Sequence, residues 1–188
     1  MHDWLATATA IATAAGAMIR AAWDGERAVS FKGEVDLVTD TDRAVEAFVV
    51  ERLRAAFPDH AILAEETATA ADFALIDADT PVWIVDPLDG TTNFAHRYPH
   101  VAVSIGLCRR GDPVLGVVHD PMRGETFAAA RGLGATLDGR PVRVSATDAL
   151  DAALLGTGFP YDRRDHAAAY LRFVEDFLCR VQGIRRAG

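Results

Sequence analysis

Val82-Trp83-Ile84-Val85-Asp86-Pro87-Leu88-Asp89-Gly90-Thr91-Thr92-Asn93-Phe94 joins an apolar run to two carboxylates, a glycine and two hydroxyls. The run predicts a buried strand over 82–85, with Asp86 where that strand ends. In α/β sheets, strand ends are where ligands gather. Asp86 and Asp89 are hard oxygen donors suited to Mg²⁺, which otherwise keeps waters and phosphate oxygens in its shell. Gly90 lets backbone approach a ligand closely, and Thr91 is placed to cap a helix whose first N–H groups face an anion. A lone Asp-Pro or Asp-Gly is ordinarily a surface turn. Here the preceding strand, the second acid and the adjacent threonines point to a metal and phosphate site.

Working outward, Ala61-Ile62-Leu63-Ala64 predicts a second strand that delivers Glu65 and Glu66 at its end. If the two strands are neighbours, their acids meet. Before it, Val45, Phe48, Val49 and Leu53 form the buried stripe of a helix beginning near Thr41 or Asp42 and ending at Phe57-Pro58-Asp59. Taken alone, Asp42 reads as an N-cap of that helix and Glu66 as a solvated carboxylate. Lys32-Gly33-Glu34 lies in a polar loop before a short strand, Val35-Asp36-Leu37-Val38. From Val101 to Val144, short β runs alternate with turns at Arg110-Gly111-Asp112-Pro113, Asp120-Pro121-Met122-Arg123-Gly124 and Asp138-Gly139, an antiparallel meander. A strand at 153–157 and a helix from about Arg164 to Val181 follow, the helix with a buried face of Leu171, Val174, Phe177, Leu178 and Val181.

Near the N-terminus, Trp4, Ala8, Ile11, Ala15, Met18, Ile19 and Ala22 recur at helical spacing. His2 and Asp3 stand where a signal peptide carries basic residues, so an amphipathic helix is expected rather than a leader, and no membrane span. With 188 residues, half of them hydrophobic, the chain can bury a real core. A formal charge of −8 argues against a nucleic-acid-binding surface, which needs clustered Lys and Arg. Cys108 and Cys179 have no Cys-x-x-Cys or histidine partner spacing and read as reduced core thiols of a cytoplasmic protein. His96 and His100 read as loop packing and caps, since oxygen donors dominate the site. Asp36, Asp40 and Asp42 lack the glycine and distant glutamate of a Ca²⁺ loop.

The 86–94 string resembles the signature of the inositol monophosphatase family, Mg²⁺-dependent, lithium-sensitive phosphomonoesterases. Val35-Asp36-Leu37-Val38-Thr39-Asp40-Thr41-Asp42, Ala64-Glu65-Glu66-Thr67 and the segment His96 to Gly106 stand in the family's order and at about its spacing. The resemblance covers nearly the whole chain. It implies that Glu65, Asp86 and the main-chain oxygen of Leu88 bind a first Mg²⁺, that Asp86 bridges to a second held by Asp89, and that two or three ions take part. It further implies a phosphate cradle of amides at Gly90, Thr91 and Thr92, a proton-accepting pair Thr91 and Asp42, a water-orienting Glu66, and a place for Lys32 near the metal waters.

The resemblance also carries an expected departure. Family members continue past the segment resembling Gln182 to Gly188 into a Trp-Asp motif that completes the second metal's shell; Trp23-Asp24 is this chain's only such pair and closes the first helix. The expected fold is therefore α/β, a layered α+β sandwich of the sugar-phosphatase type. A first unit spans 1–147, and 148–188 begins a second, incomplete α/β unit. The expected function is Mg²⁺-dependent hydrolysis of a small phosphate monoester, foremost inositol monophosphate, by a cytoplasmic homodimer with no nucleic-acid or membrane partner. The loop Gly156-Thr157-Gly158-Phe159-Pro160-Tyr161-Asp162 looks most like bacterial members. Histidinol phosphate, fructose bisphosphate and a nucleotide 3′-phosphate are alternative substrates, and a non-catalytic metal- or phosphate-binding protein is the rival.

Overall fold

In a computed structural model of the chain, residues 1–25, 29–31, 37–160 and 162–187 are described. They fall into two compact units that divide between Val142 and Arg143.

The first unit opens with helix α1 (His2–Ala22). Its stripe of Ala8, Ile11, Ala12, Ala15 and Ile19 is buried, because small residues at helical spacing let the helix lie close on a sheet. By length and composition α1 would pass for a membrane span, contrary to the sequence expectation. Many of its residues are alanine, and these raise hydropathy without adding bulk. Trp23 caps α1 and meets Phe94 edge-on, with ring centroids 5.6 Å apart.

Strands β1 (Val29–Phe31) and β2 (Leu37–Thr39) form an antiparallel pair. Helix α2 (Asp40–Ala56) follows, starting earlier than expected because Thr39, not Asp42, is its N-cap. Val45, Val49 and Leu53 of its stripe are fully buried.

Next come β3 (Ala61–Ala64), a 3₁₀ segment (Ala70–Asp77), β4 (Val82–Asp89) and helix α3 (Thr91–Ala95). The meander β5 (Ala102–Arg109), β6 (Asp112–Asp120), β7 (Glu125–Ala130), β8 (Gly134–Leu137) and β9 (Arg140–Val142) completes the unit. β3 to β9 lie in chain order in one seven-stranded sheet. β3 and β4 are parallel, and every later pairing is antiparallel. Asp138 and Gly139 both have positive φ, 50° and 76°, as the tight hairpin between β8 and β9 requires. Val103, Ile105 and Leu107 alternate inward along β5 and pack with Leu115, Val117, Trp83 and Val85 beneath α1 and α2.

The second unit holds a 3₁₀ turn (Leu150–Ala152), β10 (Leu154–Thr157), α4 (Arg163–Leu178) and β11 (Gly183–Arg186), with β10 and β11 parallel. Here two expectations fail. α4 has no buried face: Leu171 is 57% exposed and Leu178 63%. A two-stranded ladder offers too little surface to cover a four-turn stripe. Cys179, just past α4, is exposed for the same reason, whereas Cys108 in the large sheet is buried.

Candidate active site

The parallel pairing of β3 and β4 decides the site. Ala64 stands opposite Val85, and the N–H of Glu65 continues the ladder to the Val85 carbonyl at 3.1 Å. Both chains end their apolar runs on the same side, which brings Glu65 and Asp86 together. The Asp86 carboxyl is pushed up to about 8, first by burial, then by the charge of Glu65, a hydrogen bond with Glu65 and the charge of Asp89. The Leu88 N–H, 3.1 Å from Asp86 Oδ1, works the other way.

β4 does not stop at Val85 as the sequence suggested. It runs to Asp89 through an irregularity: Asp86 pairs with Ser104 and Asp89 with Ala102, so the register shifts between them. Pro87, which has no N–H to give a ladder, sits in the shifted segment. Leu88 turns its side chain into the core, leaving Asp89 exposed.

Gly90, not Thr91, is the N-cap of α3. Its φ of 95° and the His100 carbonyl, which an added Cβ would meet at 2.8 Å, both demand glycine. Thr91 is thereby the first helical residue, and Thr92 the exposed second. The Thr91 hydroxyl has one proton and two acceptors in reach, Asp42 Oδ1 at 2.9 Å and the Leu88 carbonyl at 3.1 Å.

Asp42 is 1% exposed and divides its work between its two oxygens. Oδ2 accepts the Thr39 N–H at 2.8 Å and the Thr39 hydroxyl, while the Asp42 N–H returns to Thr39 Oγ1 at 3.4 Å, closing a capping box. Oδ1 is left for Thr91. The Thr39-x-x-Asp42 spacing carried this signal in the sequence.

Glu66 lies in the turn after β3, and its N–H donates to Glu46 Oε2 at 2.6 Å. Glu46, 3% exposed, was missed by sequence reasoning; its trace was its place one turn after Asp42 beside the apolar stripe. His96 caps the end of α3, and the His100 carbonyl accepts from Asn93 Nδ2 at 2.9 Å, so both histidines serve the loop. Lys32 and Asp36 lie outside the described residues.

A cavity of about 520 Å³ borders the acids, with Glu65 and Asp86 at its edge and Leu63, Phe73, Ile84 and Leu107 among its walls. Among the described residues, no three carboxylates, imidazoles or thiols converge into a ready-made cage. The donor set still fits Mg²⁺, which binds through one or two carboxylates and fills its shell with water and phosphate. An Asp raised to about 8 beside a second acid is the electrostatic mark of carboxylates that a cation would relieve.

The model of the inositol monophosphatase family matches residues 1–188. An inositol-1-monophosphatase from Synechocystis sp. is 47% identical over 192 residues, covering 100% of this chain and 64% of that protein. The chain thus spans a little under two thirds of that relative's length. The crystal structure of the extragenic suppressor protein suhB from Bartonella henselae superposes with a TM-score of 0.90 at 34% identity, over 99% of this chain and 70% of that one. An IMPase/NADP phosphatase complexed with Mg²⁺ and phosphate gives a TM-score of 0.75 at 25% identity, over 90% and 61%.

Proposed function

Since the chain belongs to the inositol monophosphatase family, we propose that it acts as a Mg²⁺-dependent phosphomonoesterase on a small phosphate monoester, foremost inositol monophosphate. One observation carries the reading: parallel β3 and β4 set Glu65 against a half-buried Asp86, with a Thr91 hydroxyl 2.9 Å from Asp42 on the segment after β4. The Mg²⁺ and phosphate of the related IMPase/NADP phosphatase support the choice of ion.

In this proposal Glu65, Asp86 and the Leu88 main-chain oxygen would hold a first ion, and Asp86 with Asp89 would hold a second. When bound, Mg²⁺ supplies positive charge against the ester oxygens and makes water easier to deprotonate. The amides of Gly90, Thr91 and Thr92 orient the phosphate. Thr91 Oγ1 takes a proton from the attacking water while passing its own to Asp42 Oδ1, a relay suited to a carboxylate that already accepts from it. Glu66 orients the water. A homodimer in the cytoplasm belongs to the same proposal.

Phosphate release from inositol 1-phosphate with and without Mg²⁺, beside histidinol phosphate, fructose 1,6-bisphosphate and 3′-AMP, tests it. Mg²⁺-dependent release that is highest on the inositol ester is expected. Mg²⁺ binding without release from any of the four would leave only the binding-protein reading.

A further inference from the structure

α2 carries two buried acids where packing needs none. Val45, Val49 and Leu53 already face the core, yet Asp42 and Glu46, one turn apart, are 1% and 3% exposed. Like charges at this spacing oppose the helix slightly, and burying carboxylates costs more. Each meets a different loop of the site. Asp42 Oδ1 takes the Thr91 hydroxyl from the segment after β4, and Glu46 Oε2 takes the Glu66 N–H from the turn after β3, at 2.6 Å.

The main-chain bonds of that turn are mostly local. Beyond Glu65, whose N–H still pairs with Val85, the bonds from Thr67 and Ala68 both run back to the Ala64 carbonyl, at 3.3 and 2.8 Å. Neither determines how the 65–66 peptide lies over β4. The Glu66 N–H belongs to that peptide, and a buried carboxylate acceptor holds it in one orientation.

We propose that Glu46 is a positioning residue: through the Glu66 N–H it fixes the 65–66 peptide, and so aims the Glu65 carboxylate at Asp86. α2 is then the template on which both halves of the site are set, Asp42 for one and Glu46 for the other. The inference rests on the metal-site reading, but its first readout does not.

The test uses the full chain, with amide hydrogen exchange at Glu66 and calorimetric titration with Mg²⁺ alone. In the wild type the Glu66 amide should be protected. Glu46→Leu should speed its exchange at least about tenfold and weaken Mg²⁺ binding by about 10- to 100-fold, the usual loss for a group that orients a ligand. Glu46→Gln keeps an acceptor at the same place and should stay within about threefold of wild type on both. Val49→Ala, which loosens the core of the same helix without touching the turn, should lower the melting temperature and leave Mg²⁺ affinity within about twofold. An unprotected Glu66 amide in the folded wild type would overturn the inference even if Glu46→Leu fails to fold. So would a Glu46→Gln variant as impaired as Glu46→Leu, or unchanged affinity in Glu46→Leu. A wild-type chain that protects the amide but binds no Mg²⁺ would refute the metal reading and leave the turn-holding role standing.

Discussion

Replacing Thr91 by Val separates the structural from the chemical part of the Thr91–Asp42 contact. Val matches Thr in shape and removes only the hydroxyl, leaving Asp42 Oδ1 without its 2.9 Å donor at a residue that is 1% exposed. Losing a hydrogen bond to a charged acceptor costs about 1.5–3 kcal/mol. For a chain of this size that is a fall of roughly 3–12 °C in melting temperature. The capping box survives, since Thr39 bonds Asp42 through Oδ2, so α2 should remain folded. If the hydroxyl relays a proton, phosphate release should fall by about 10²–10⁴-fold, and Thr91→Ser should recover most of it. The decisive measurement is a rate cycle with Asp42→Asn. Groups that act as one unit are not additive, so Thr91→Val should cost little more in the Asp42→Asn background. Release by Thr91→Val within about tenfold of wild type, or fully additive losses in the cycle, would refute the relay.

Calorimetry with Mg²⁺ should show a greater loss of binding in Asp86→Asn than in Asp89→Asn, because Asp86 feels both Glu65 and Asp89 and in the proposed site would serve both ion positions; equal losses would count against it. Gly16→Ala should destabilise, although alanine gains about 1 kcal/mol in a helix interior. The new Cβ would lie 2.3 Å from His119 Cδ2, on a ring tied to Thr126 at 2.9 Å, and overpacking of that kind costs about 1–3 kcal/mol. A rise in the urea midpoint would show that the ring yields freely. The two buried imidazoles contribute a pH dependence of one sign, and Asp86, whose raised carboxyl favours the folded state at lower pH, contributes the opposite one. Burial lowers the His60 and His119 imidazoles below the ordinary histidine value, and the charge of Asp59 on His60, or of Asp120 on His119, only partly opposes it. His60 Nδ1 accepts from Trp83 Nε1 at 3.1 Å, which needs the neutral ring. At these two sites the unfolded chain binds more protons just below 6.5, so their contribution to stability should fall as pH drops through that region. The change in urea midpoint between pH 7.5 and 5.5 should differ between wild type and His60→Gln, the wild type losing more on acidification; no difference between the two would contradict the burial argument.

Much of this was legible in residues adjacent along the chain. Alternation in β5 to β9 gave the meander, and the apolar stripes of α1 and α2 match the faces they bury, because side-chain periodicity is a local property of backbone geometry. Boundaries were less legible. Pro87 looks like the end of a strand, yet β4 absorbs it in a register shift, since pairing with β5 on either side outweighs one missing N–H. Gly90 displaced Thr91 as the cap because the close His100 carbonyl excludes a side chain there, and no local rule announces a neighbour ten residues on. Glu46 was invisible for a like reason: a glutamate in an amphipathic helix reads as surface until a turn from another strand lands on it.

By itself, the sequence determined which family the chain belongs to and which residues are the candidates for its chemistry, for acids, glycine and threonines at set spacing state their donors and turns locally. Tertiary structure alone decided that Glu65 and Asp86 meet, that Asp42 gives one oxygen to its helix and the other to Thr91, and that Glu46 reaches Glu66. The physical reason is register. A parallel pairing between strands some twenty residues apart sets which side chains share a place, and burial with the neighbouring acids then raises the Asp86 carboxyl.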